Sequence, residues 1–208
     1  MILKFENFTK KIGKKTILDN INLTLEGGKI YGLRGINGCG KTMLIRAACG
    51  LIYPNNGSVS INNEVLGKDI SFPRSVGVLI ESPAFLPEYS AKDNLLLISS
   101  INNTATETEI EKTLKQVGLD AKSKKTFSKF SLGMKQKLGI AAAIFESPEL
   151  VLLDEPFNAL DEKSVTDVKN IIKALKNKDR IIVLACHDRT ILNDISDSII
   201  EMEEGKII

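Results

Sequence analysis

Apolar and polar positions follow two rhythms along this chain. Residues 2–8 and 21–26 alternate between apolar and polar side chains, the pattern of a strand with one buried face. Residues 30–34, 58–61, 76–81, 149–153, 180–185 and 197–202 are short runs rich in Ile, Val and Leu, which predict further strands. Helical patterns fall between them at about 41–49, 161–177 and 189–194. Gly50 supplies a helix stop, and Pro54-Asn55-Asn56-Gly57 supplies a turn. Between about 83 and 147 the strand signals vanish, and helices are expected at 91–100, 106–117 and 133–146. Strands alternating with helices predict an α/β fold. The simplest organisation is a single domain over 1–208. Its sheet-centred core spans 1–82 and 148–208, and a helical subdomain is inserted at about 83–147.

Composition narrows the class further. The 208 residues are 43% hydrophobic and 26% charged, with 28 basic and 26 acidic side chains, as in an ordinary globular protein. A net charge of +2 gives no field that would argue for a nucleic-acid partner. No run approaches the ~20 apolar residues of a bilayer span, and Lys4 and Glu6 interrupt any apolar leader, so neither a span nor a signal peptide is expected. Cys39, Cys49 and Cys186 are too few and too scattered for a disulfide or zinc framework, which suits a reducing cytosol.

Candidate chemistry begins at Gly35-Ile36-Asn37-Gly38-Cys39-Gly40-Lys41-Thr42, which fits G-x-x-x-x-G-K-[ST] between a predicted strand and a predicted helix. Glycines there let backbone N–H groups turn inward around phosphate oxygens, and the helix N-terminus adds partial positive charge. Lys41 suits the β- and γ-phosphates and the Thr42 hydroxyl suits Mg²⁺. A second element is the apolar run Leu150-Val151-Leu152-Leu153, ending in Asp154-Glu155-Pro156. A parallel sheet would bring this strand end to the same edge as the loop. Asp154 can then hold the Mg²⁺ shell while Glu155 polarises the attacking water. Adjacent carboxylates need such different roles, because like charges this close do not otherwise both stay ionised.

With these two elements in place the chain resembles the ATP-binding-cassette (ABC) ATPase family, over essentially its whole length and in the family's order. The family's LSGGQ signature is matched by Phe130-Ser131-Leu132-Gly133-Met134, followed by Lys135-Gln136-Lys137, with Leu132 and Met134 departing from the commonest residues. The D-loop resembles Asn158-Ala159-Leu160-Asp161, and the switch histidine resembles His187, the chain's only histidine. Each also has a purely structural use: Ser131 suits a helix N-cap, and Asn158 to Asp161 suits a capping turn. The resemblance implies a P-loop NTPase fold of the ABC nucleotide-binding type, with an antiparallel β part and an inserted helical subdomain. It also implies a head-to-tail dimer, homo- or heteromeric, with ATP at the interface. Ser131, Leu132, Gly133, Met134 and Asp161 would then act in trans on ATP bound by the other subunit. Membrane-spanning permease subunits would be the partners, and the location would be cytoplasmic, at the inner face of the cell membrane. The expected function is ATP hydrolysis driving export; a soluble ABC ATPase acting on ribosomes or nucleic acid is the alternative.

Two positions depart from the family pattern. The Q-loop glutamine, which serves the metal and the attacking water, is matched by Glu81 in Val78-Leu79-Ile80-Glu81-Ser82-Pro83. A carboxylate ~5 Å from one phosphate charge costs about 3 kcal/mol at an effective dielectric of ~20, so Glu81 is expected to lean on Mg²⁺ or on a partner's basic group. Glu81, with the Ser-Leu-Gly-Met-Lys-Gln signature, resembles the bacitracin-resistance and lantibiotic-immunity branch, which implies export of an antimicrobial peptide or antibiotic. The aromatic residue that stacks on adenine is matched by Ile12, which predicts comparable affinity for ATP and GTP. Cys39, beside Lys41 and a helix N-terminus, is expected to react with maleimide and to be protected by Mg-ATP. Lys122, Lys124, Lys125 and Lys129 suit either a solvated surface or anionic lipid headgroups. Phe85 and Leu86 suit either core packing or a groove for a helix of the membrane subunit.

Overall fold

Phe5 and Phe8 are both buried although they stand three residues apart, an arrangement that strict alternation forbids. The computed structural model, which describes residues 1–102 and 105–208, shows how the strand achieves this. Strand β1 (Ile2–Ile12) pairs antiparallel with β2 (Lys15–Glu26), and its register shifts between Phe5 and Phe8. Asn7 absorbs the extra residue at φ 47°, and its N–H donates to Asn22 Oδ1 at 2.9 Å. Asn20, at φ 50°, does the same on β2, so that Leu18 and Ile21 also share the core face. The hairpin therefore runs further than the expected strands. Its distal half is lysine-rich and closes at Gly13, which opens a two-residue turn at φ 58°.

β1 also pairs with β4 (Asn56–Ile61), and β4 with the short β5 (Glu64–Val65), giving an antiparallel sheet of order β2-β1-β4-β5. The second sheet has six strands in the order β10-β9-β3-β8-β7-β6. They are β3 (Lys29–Arg34), β6 (Val76–Leu79), β7 (Leu150–Asp154), β8 (Ile181–Ala185), β9 (Ser198–Glu203) and β10 (Lys206–Ile207). All neighbours are parallel except β10 with β9. Every residue of β7 and β8 is buried, which is why both read as unbroken apolar runs.

The helices are α1 (Lys41–Ala48), α2 (Ala91–Asn102), α3 (Glu107–Gln116), α4 (Leu132–Ile144), α5 (Glu162–Leu175) and α6 (Arg189–Ile195), with a 3₁₀ turn at Phe127–Lys129. Among the described residues no helix is long and apolar enough to cross a membrane. The parallel sheet carries a core on each face. Leu150 and Leu152 join α1 and the antiparallel sheet on one side, while Val151 and Leu153 join α4 and α5 on the other. Helix α4 lies so close to β6 that a Cβ at Gly77 would overlap the Ala143 carbonyl. Buried Arg180 ties the end of α5 to the turn before β7, donating to the carbonyls of Leu175, Ser147 and Pro148. Phe85 belongs to this packing, with its ring edge-on to Phe127 at 5.3 Å, whereas Leu86 is exposed. Charging both residues would thus disturb the fold, and Leu86 alone remains available to a partner.

Candidate functional site

The glycine loop lies between β3 and α1, as its spacing predicts. Gly35 is required by contact: a Cβ there would overlap the Met202 carbonyl and Cys39 Sγ. Gly40 occupies the N-cap of α1 at φ 115° and brings no side-chain cap, so the first N–H groups of that helix face the loop. Ile36, Asn37 and Gly38 are exposed at the crest. Cys39 is not. It is 3% exposed and packs beneath the loop, filling the space that Gly35 leaves. The maleimide reactivity expected of Cys39 is therefore not a property of this fold. Lys41 is buried, and its ammonium donates to the carbonyls of Gly35 at 2.7 Å and Ile36 at 3.2 Å.

The acidic strand end meets this loop directly. Thr42 Oγ1 donates to Asp154 Oδ2 at 2.6 Å. Burial pushes the Asp154 carboxyl above its ordinary range, and the bond from Thr42 partly offsets this. The chain then turns out of β7 at Glu155, whose φ is 50°; its N–H donates to the Ala185 carbonyl, and Gln136 Nε2 donates to its carbonyl at 3.0 Å. Held this way, Glu155 Oε2 stands 2.9 Å from His187 Nδ1. A carboxylate only accepts, so the imidazole proton of this contact sits on Nδ1 and leaves Nε2 for another partner. Between them in sequence, Cys186 is buried, its thiol pushed up to about 11 by desolvation.

Glu81 terminates β6 at φ 56° and pairs with Arg46 Nη2 at 2.6 Å. This corrects one expectation. The base that answers Glu81 comes from the last turn of α1 in the same chain, because α1 runs from the loop past the end of β6. Glu81 joins Gly38, Gly40, Lys41, Thr42, Asp154 and Glu155 around one cleft of about 610 Å³. Ile12 does not line it. That residue lies exposed near the hairpin tip, and the residue of the hairpin that lines the cleft is Ile17 of β2. The two-residue turn at Gly13 is the signal that could have pointed to Ile17, since it carries β2 back toward the loop. Gln136 and Asn158, which the sequence marks only as parts of the signature and D-loop segments, also line the cleft.

Ser131, Gly133, Met134 and Asp161 are gathered elsewhere. They line a separate surface pocket of about 590 Å³, and Leu132 and Ala159 border both. Ser131 caps α4, accepting from the Met134 N–H at 3.2 Å. Asp161 caps α5, and the Ser164 N–H it accepts holds its carboxyl below the usual range. A Cβ on Gly133 would come 2.9 Å from the Ala159 carbonyl, so the two segments fit only without a side chain there. Lys122, Lys124 and Lys129 are exposed nearby, and Lys125 reaches Met134 Sδ at 3.6 Å.

Comparison with known proteins agrees with this geometry. The profile of the family described as "ABC transporter" matches residues 18–158. The chain is 49% identical over 201 residues to the uncharacterized ABC transporter ATP-binding protein YybJ of Bacillus subtilis (strain 168), covering 97% of this chain and 92% of that protein. It is 36% identical over 209 residues to the bacitracin transport ATP-binding protein BcrA of Enterococcus faecalis, covering 100% of this chain and 68% of that protein. A solved structure of an ATP-binding subunit of an ABC transporter superposes with a TM-score of 0.88 at 26% identity, covering 100% of this chain and 88% of that one. The chain belongs to the ABC transporter family, as one of its ATP-binding, ATP-hydrolysing subunits.

Proposed function

We propose that ATP binds with Mg²⁺ in the 610 Å³ cleft, is hydrolysed there by Glu155 together with His187, which lines the neighbouring 430 Å³ cleft, and joins two cassettes head to tail. One observation above all supports this reading: the Thr42–Asp154 contact and the Glu155–His187 contact, from three separate segments, border the same loop. The uncapped N-terminus of α1 receives phosphate oxygens, and Lys41 exchanges the carbonyls of Gly35 and Ile36 for the β- and γ-phosphates. Thr42 and Asp154 offer hard oxygen donors already in contact, which suits Mg²⁺; Glu81, neutralised by Arg46, borders the same place. When bound, Mg²⁺ neutralises charge developing on the β- and γ-phosphate oxygens. Glu155 polarises the attacking water, and His187, oriented through Nδ1, offers Nε2 to the γ-phosphate.

Ser131, Gly133 and Asp161 line a pocket other than the cleft at the loop of their own chain, which supports a role on the nucleotide of a second copy or of a related subunit. Assembly and release of that pair is the motion delivered to separate membrane-spanning subunits at the cytoplasmic face of the membrane. The likeness to a bacitracin transport protein supports export of an antimicrobial peptide or antibiotic. No similarity reported above favours action on ribosomes or nucleic acid. The test is Glu155→Gln. ATP binding is retained, turnover falls by at least about a hundredfold, and an ATP-dependent dimer accumulates on size exclusion. Turnover at the wild-type rate would remove Glu155 as the base.

A further inference from the structure

Cys186 has no part in the reading above, yet it lies beside both reacting side chains. A carboxylate oxygen of Glu155, a ring nitrogen of His187 and Cys186 Sγ all lie within 4.8 Å of one another. Strands β7 and β8 set this arrangement. Asp154 is in register with Ala185, so the residues that follow, Glu155 and Cys186, leave the sheet at the same level. Zinc bonds of about 2.0–2.1 Å to oxygen and nitrogen and about 2.3 Å to sulfur put tetrahedral neighbours roughly 3.3–3.6 Å apart. Glu155 Oε2 and His187 Nδ1 stand at 2.9 Å and need only open slightly, while Cys186 Sγ, within 4.8 Å of both, closes on an ion by a movement of at most roughly 1 Å. Cys186 and His187 also line a second cleft of about 430 Å³ beside the loop, which gives an ion a route to the buried sulfur.

The donor set decides the metal. Sulfur, nitrogen and one carboxylate suit a borderline-soft ion, whereas the Thr42–Asp154 pair offers only oxygen. We propose that Glu155, Cys186 and His187 form a zinc site with solvent at the fourth position, and that zinc there switches hydrolysis off. A Zn–S bond forms as the thiol proton passes to solvent, the imidazole proton moves from Nδ1 to Nε2 by exchange with water, and no electron is transferred. The ion occupies the carboxylate that polarises water and one nitrogen of the histidine. The switch rests on the catalytic roles proposed above; the site itself does not.

Cobalt is the probe. The full-length protein titrated with Co²⁺ gains a thiolate-to-cobalt charge-transfer band in the near ultraviolet, and Zn²⁺ bleaches it. Cys186→Ser removes the band, and Cys49→Ser keeps it. His187→Ala alters an exposed side chain and weakens Co²⁺ binding by about tenfold or more. With excess Mg-ATP, zinc lowers wild-type turnover, while for Cys186→Ser the ratio of turnover with and without zinc returns to one. No band in the wild type, a band surviving Cys186→Ser, or wild-type strength of binding in His187→Ala overturns the site. A band without zinc inhibition overturns the switch. A protein that hydrolyses no ATP at all refutes the ATPase reading, and the cobalt spectrum still decides the site.

Discussion

Arg46 and Glu81 meet at the rim of the cleft, and this pair sets the charge that a triphosphate encounters. A glutamine at position 81 would be neutral; the glutamate is tolerable beside phosphates because a guanidinium answers it. The Glu81 side chain is 63% exposed, so solvent screens the pair and it is worth at most about 1 kcal/mol. Arg46→Met should therefore raise the KM for ATP by up to about fivefold with little change in kcat. Adding Glu81→Gln should return KM toward the wild-type value, because the uncompensated charge has gone. Steady-state ATPase assays on the two variants check this, and an unaltered KM in Arg46→Met would show that Glu81 does not reach the nucleotide. The pair was invisible in the sequence. Its members stand 35 residues apart, and only the packing of α1 past the end of β6 brings them together.

Helix termini carry much of this site, so capping and nucleotide contact must be separated at the level of the element. Ser131→Ala removes the α4 cap and should cost about 1 kcal/mol in urea unfolding. Ser131→Asn keeps a side-chain acceptor at the cap, so its stability should stay near that of the wild type while ATP turnover falls at least about tenfold. Full turnover in that variant would reduce Ser131 to a cap. A second element prediction concerns α5 and α6, joined where Lys169 and Lys173 clasp Asp194. The two ammonium groups hold that carboxyl down to about 2. Because its folded value lies below the unfolded one, near 3.9, the contribution is complete above about pH 4 and is lost as pH falls toward 2. Asp194→Asn should flatten the acid limb of the unfolding curve over that range. Asp194 and Lys173 are exposed and Lys169 is half-buried, so the change is small. The caps themselves were legible, since Ser131 and Asp161 stand where helical periodicity starts. The extended hairpin was not. Asn7 and Asn20 shift its register, and Lys10, Lys11 and Lys15 hide its distal strands behind charge.

At the scale of the whole molecule, local spacing revealed the parts of the site but not their division between two surfaces. The glycine loop and the acidic strand end could be placed on one sheet edge from pattern alone, because parallel strands align their ends. Cys39 could not be placed, since whether a loop residue faces solvent or core depends on the Met202 backbone far along the chain. The segregation of Ser131, Gly133 and Asp161 from Lys41 is likewise a property of the fold, and it has a consequence for mixtures. A chain with Lys41→Ala keeps a sound Ser131 surface; a chain with Ser131→Arg keeps a sound loop. Each alone assembles only defective sites if the two surfaces meet across a head-to-tail dimer. Mixed together they form heterodimers in which one site of two combines the intact loop with the intact serine-bearing helix. Random mixing with independent sites should then restore up to about a quarter of wild-type turnover, measured against the sum of the separate variants. Were Ser131 to serve the loop of its own chain, no heterodimer could contain an intact site, and the mixture would hydrolyse no more ATP than its parts.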